Sequence, residues 1–98
     1  MINKDLRKKI DAYAKDYEVE ITILDNLSFD NSIVGITEDG KLIYSLSKMI
    51  TECQEELKCN YLEAVEWIEA NTLPAISYFG DKAPIIIYLG IDELKEKY

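Results

Sequence analysis

Leu6, Ile10, Tyr13, Ala14 and Tyr17 recur at the spacing that keeps apolar side chains on one stripe of a 3.6-residue helix. They predict a first helix that opens after Asn3, whose side chain can accept a hydrogen bond from a free amide of the first turn. Lys4, Arg7, Lys8 and Lys15 fall off that stripe and form a solvated basic face. From Val19 the period changes to two. Val19, Ile21 and Ile23 alternate with Glu18, Glu20 and Thr22, which predicts a half-buried strand over residues 18–24. Residues 25–32 are polar, with Asp30-Asn31 suited to a turn and only Leu27 and Phe29 able to anchor the segment on a core. Residues 32–37 and 41–45 flank Asp39-Gly40, a dipeptide that tolerates the positive φ angles of a type I′ turn, so a hairpin is predicted there with Glu38 facing Lys41.

Leu46, Met49, Ile50, Cys53 and Leu57 give a second helix its apolar stripe, with Glu52, Glu55 and Glu56 on the reverse side. Asn60 followed by Glu63 approximates a capping box for a third helix, whose inner face is Tyr61, Ala64, Val65 and Ile68 and whose flank carries Glu63, Glu66 and Glu69. Pro74 and Gly80-Asp81 bracket a stretch expected to be irregular, containing Tyr78-Phe79. The apolar run Ile85, Ile86, Ile87, Tyr88 and Leu89 predicts a central strand covered on both faces, with Pro84 at its start. Residues 91–98 read as a charged tail of one or two helical turns. These elements make one α+β domain over residues 1–98, in the order α, β, β-hairpin, α, α, β, with helices packed on a small mixed or antiparallel sheet.

Charge adds an asymmetry that periodicity does not show. Thirteen acids face three lysines between residues 16 and 71, a net −10, while the first fifteen residues hold five basic residues against two acids, and the whole chain carries −8. Such a pole attracts a basic protein surface and repels nucleic acid and anionic lipid. Neither direct nucleic-acid binding nor membrane association is expected. The opening Met-Ile-Asn-Lys-Asp has no apolar core of a secretion signal, and the longest apolar run is far short of the roughly 20 residues that span a bilayer, so a cytoplasmic protein is expected.

The chain contains no histidine, which removes the commonest general base and the commonest zinc ligand. Its four glycines are too scattered for a phosphate-cradling loop, and Cys53 and Cys59 form no C-x-x-C pair. The two thiols read as core or helix-end residues. Asp25, Asp30 and Asp39 lie in or near loops where carboxylates can hold a divalent metal, but turn capping explains them as well. The expectation is a non-enzyme without a cofactor. Glu52, Glu55, Glu56, Glu63, Glu66 and Glu69 on adjoining helices have two readings, a solvated face or a row of negative charge that imitates a phosphate backbone. Trp67, about 100 degrees from the centre of the third helix's stripe, is either a binding anchor beside those acids or a cover for the core edge.

The stretch from Phe29 to Tyr44, with Lys48-Met49, Glu63-Ala64-Val65-Glu66-Trp67-Ile68-Glu69, Asn71-Thr72 and Lys82-Ala83-Pro84-Ile85-Ile86, resembles a family of short uncharacterised proteins of Firmicutes genomes and their phages and prophages. The resemblance covers roughly residues 29–88 and departs from the family pattern at Ser45-Leu46-Ser47 and at residues 73–76. It implies a setting inside a bacterial host cell, where small acidic proteins of mobile elements inhibit defence machinery, as anti-CRISPR proteins do. The expected function is therefore a non-catalytic acidic protein-binding module whose partner is a basic, nucleic-acid-handling effector of a CRISPR or other defence system. The binding surface is expected at Glu52, Glu55, Glu56, Glu63, Glu66, Trp67 and Glu69. The alternative is a homo-oligomeric structural or regulatory protein, a homodimer formed through the apolar strand and Tyr78-Phe79 or through the helix-one lysines and a second copy's acids.

Overall fold

The computed structural model describes residues 2–25 and 27–98. Three short strands, β1 (Ile33–Ile36), β2 (Leu42–Ser45) and β3 (Ile85–Ile87), form one mixed sheet in the spatial order β1-β2-β3. The first pair is antiparallel and the second parallel. The helices are α1 (Lys4–Tyr17), α2 (Leu46–Leu57), α3 (Tyr61–Trp67), α4 (Leu73–Ile76) and α5 (Ile91–Lys97). This is the α+β domain the periodicity predicts, and no helix among the described residues is long and apolar enough to cross a membrane.

Helix α1 starts where expected, with Asn3 Oδ1 accepting from the Leu6 amide at 3.0 Å. It stops at Glu18, whose backbone turns left-handed at φ 53° while its amide closes on Ala14. Beyond that point residues 19–25 form no strand. The alternation of Val19, Ile21 and Ile23 is satisfied differently: the chain crosses the core face of the sheet, and the Leu24 amide donates to the buried Tyr44 hydroxyl at 3.0 Å instead of joining a ladder. Burial holds the Tyr44 phenol in its protonated form, with its pKa pushed up to about 12.

The hairpin forms at the predicted place, but its turn is of another type. Only Gly40 has positive φ, and the Gly40 amide bonds the Thr37 carbonyl at 3.0 Å, so the turn is a three-residue loop with glycine at the left-handed position. A β-carbon at Gly40 would come 2.8 Å from Val19 Cγ2, so both φ and space require glycine. The acid that reaches Lys41 is Asp39, at 3.9 Å, in place of Glu38.

The turn Asp30–Ser32 is a hub. Arg7 grips Asp30 through Nε at 2.8 Å and a second guanidinium nitrogen at 3.0 Å, and the Asn3 amide donates to the same carboxylate at 2.7 Å. Burial pushes the Asp30 carboxyl upward, but the Arg7 and Asn3 donors outweigh it and leave its pKa below the usual range. Two residues on, Ser32 Oγ donates to Glu52 Oε1 at 2.6 Å and ties the hub to α2. Phe29, fully buried, inserts beside these polar ties.

Pro74 does not end the helix that contains it. A π turn, Ile68–Thr72, joins α3 to α4, with the Leu73 amide reaching back to the Ile68 carbonyl, so the chain stays helical through a residue that has no amide hydrogen to offer. The turn leaves Thr72 1% exposed, with Oγ1 unpartnered beside a cavity of about 30 Å³ lined by Leu24, Asp25, Ala75 and Phe79. Thr72→Val removes a buried hydroxyl that has no partner and is expected to raise stability by about 1 kcal/mol in urea unfolding. A comparable loss would show that the hydroxyl is bonded in solution.

β3 also differs from expectation. It is an edge strand of three residues, and the helices α1 to α4 cover only the face to which Leu42, Tyr44 and Ile86 point. Helix α5 docks through Glu93, whose Oε2 accepts from Ser45 Oγ and from the Gly90 amide, each at 2.6 Å. Burial raises the Glu93 carboxyl, and these donors with Lys48 more than reverse it, so its pKa lies below the ordinary value. Ser45 also caps α2, accepting from the Lys48 amide at 3.3 Å.

Candidate functional site

The expected binding surface divides at the α2–α3 corner. Glu52 leaves it altogether: at 8% exposure it points inward to Ser32, so it is a tie within the fold and no part of an outer acidic row. The reason is that the Asp30–Ser32 turn packs on the flank of α2 that periodicity alone assigns to water. Glu55 and Glu56 remain exposed, around a hollow of about 370 Å³ shared with Asn31, Glu52 and Lys58.

Glu63 and Glu66 line a second hollow of about 420 Å³ with Leu57, Cys59 and Trp67. Local structure explains the arrangement. Lys58 ends α2 in the left-handed region at φ 51°, the chain reverses, and Asn60 starts α3 through the full capping box. In that box Asn60 Oδ1 accepts from the Glu63 amide at 2.8 Å, and the Glu63 carboxylate accepts from the Asn60 amide at 3.1 Å. Glu63 is thus held in a fixed orientation at the mouth of the hollow. Trp67, half-buried and packed against the core, supplies the aromatic wall. Glu69 is exposed on the π turn and lines neither hollow. Among the described residues, no lysine or arginine forms an ion pair with Glu55, Glu63, Glu66 or Glu69.

Leu57 and Cys59 belong to this surface although the sequence reading places them inside or at a helix end. Leu57 is the last residue of α2, and the reversal at Lys58 turns it outward, so the left-handed cap is the missing signal. Tyr61 and Leu62, on the first turn of α3, are exposed as well, Tyr61 contrary to its inner-face assignment, and make the corner apolar between its acids. Cys53 is a fully buried thiol raised to about 11 by burial and by the neighbouring Cys59.

The three loop aspartates have protein neighbours. Asp30 is held by Arg7, Asp39 accepts from the Thr37 hydroxyl and lies near Lys41, and Asp25 is exposed at 3.9 Å from Arg7. No protein family, curated protein or solved structure matches this chain.

Proposed function

We propose that the chain is a non-catalytic binding module that presents the α2–α3 corner to a protein with a basic surface. One observation carries this reading: Glu63 and Glu66 flank the same hollow as the half-buried Trp67, with no cation among the described residues paired to either. Fixed negative charge beside a pre-set aromatic wall suits an arginine- or lysine-bearing partner, because the charges steer the encounter and the ring supplies apolar contact. The hollow's chemistry and the resemblance to phage and prophage proteins together favour a nucleic-acid-handling defence effector, an anti-CRISPR-like mode in which acids occupy a basic channel. Glu55 and Glu56 extend the same field on the other side of the corner.

The test is capture from a bacterial host lysate at low and high salt, with two charge reversals compared. Glu63→Lys with Glu66→Lys is expected to weaken capture at least about tenfold, and Glu55→Lys with Glu56→Lys to weaken it less. Glu63→Lys also breaks the capping box of α3, so Glu66→Lys alone, which leaves that box intact, is the control: it should weaken capture without moving the thermal midpoint appreciably. Capture that is unaffected by salt and by both reversals would overturn the reading.

A further inference from the structure

We propose that the outer face of the sheet is a self-association surface, on which a second copy of the chain packs to form a two-fold symmetric dimer. The pairing register identifies that face. Gly35 lies opposite Ile43, Ile43 opposite Ile85, and Ser45 opposite Ile87, so Ile43, Ile85 and Ile87 point away from the face that holds Tyr44 and Ile86. Ile33, Ile36 and Ile86 pack against the core, whereas Val34, Ile43, Ile85 and Ile87 do not. Val34 joins them through the bulge between Ile33 and Gly35.

This face is mainly aliphatic and only partly covered, by α5. Val34 and Ile85 are each 38% exposed, and Ile91 of α5 is 65% exposed. Ile91 borders a groove of about 450 Å³ that Val34, Ile43 and Ile87 also line, together with Lys48, Asp92 and Glu93. Gly90 brings α5 across so closely that a β-carbon there would lie 3.5 Å from Val34 Cγ1, which makes the five side chains one patch. Together they offer on the order of 300 Å² of aliphatic surface, enough for the apolar centre of an interface that buries about 800 Å² per partner. In a chain whose residues are 31% charged, a patch of five β-branched aliphatics is not explained by the packing of a single copy.

The occupant is a second copy for two reasons. A two-fold contact needs a surface that complements itself, and a face of valine and isoleucine does so where a face of one charge cannot. The second reason is electrostatic. Each copy carries −8, and the exposed glutamates of α2 and α3 belong to the helical layer on the other side of the sheet. Sheets packed face to face lie about 10 Å apart, with each helical layer roughly 10 Å further out, so the two acidic surfaces end about 30 Å apart, well beyond a Debye length of about 8 Å. An approach through α2 and α3 of both copies brings like charges together. The dimer leaves both α2–α3 corners open and does not depend on what they bind.

Sedimentation of the full chain over a concentration series tests this. The expected particle has twice the 11.3 kDa chain mass. Ile91→Lys, at an exposed helix start, and Ile85→Asp, on the strand itself, are each expected to weaken the dimer at least about tenfold with an unchanged helical circular-dichroism signal. Added salt should leave the association constant unchanged or strengthen it. A monomer at concentrations on the order of 100 μM would overturn the proposal. So would a dimer that survives both variants, or one that salt or Lys8→Glu with Lys9→Glu dissociates, since that pattern belongs to lysine-to-acid pairing.

Discussion

Arg7→Met is expected to cost the fold about 3–5 kcal/mol at neutral pH, because it leaves the Asp30 carboxylate buried without its bidentate partner. Asp30 is fully buried, and with Arg7 removed only the Asn3 amide still holds its carboxylate among the donors described above. The pH dependence distinguishes this from a loss of packing. In the parent chain the folded pKa of Asp30 lies below its unfolded value of about 3.9, so its contribution is complete above that value and is lost as pH falls through the folded pKa. In Arg7→Met burial is opposed mainly by the Asn3 amide and no longer by the guanidinium, so the folded pKa rises above that of the parent chain, and the variant's deficit is greatest at neutral pH and shrinks as Asp30 takes up a proton. Urea unfolding of both chains between about pH 7 and pH 3 checks it: the gap should narrow as pH falls. A constant gap would mean that Arg7 contributes through its aliphatic stem and not through its charge.

Phe29→Ala is expected to cost about 3–5 kcal/mol, the range for emptying a fully enclosed aromatic site. Phe29 lies immediately before the two polar ties that hold α1 and α2 to the Asp30–Ser32 turn. Its removal therefore leaves a cavity in the core next to the residue that Arg7 holds, Asp30, a buried charge intolerant of a change in position. Phe29→Leu, which refills most of the space, should recover more than half of the loss. If alanine costs under about 1 kcal/mol, the turn is held by its hydrogen bonds alone.

The contrast between Asn60-Glu63 and Glu52 shows where the sequence was legible. The start of α3, the start of α1 and the position of the hairpin depend on residues a few positions apart, so their signals are complete within a short window. Glu52 lies 120 degrees or so from its helix's apolar stripe by the 100-degree step, and only a contact with Ser32, twenty positions away, turns that flank inward. The same holds for residues 19–25, whose alternation was real but whose backbone found no neighbouring strand. Pro74 misled for another reason: the π turn before it changes which amides the helix needs. The exposure of Glu55, Glu56, Glu63, Glu66 and Glu69 was legible from helical period, while the division of these acids between two hollows, with Glu69 in neither, follows from the left-handed residue Lys58.

The parallel pairing of β2 with β3 joins distant parts of the chain, and such pairing is expected to form late. The hairpin and α2 are continuous along the chain and can close early, whereas the strand that completes the sheet arrives only after the whole α3–α4 segment has been traversed. Ile85, Ile87 and Ile91 are therefore expected to meet Val34 and Ile43 late, so the aliphatic outer face of the sheet is complete only once the rest of the sheet has formed.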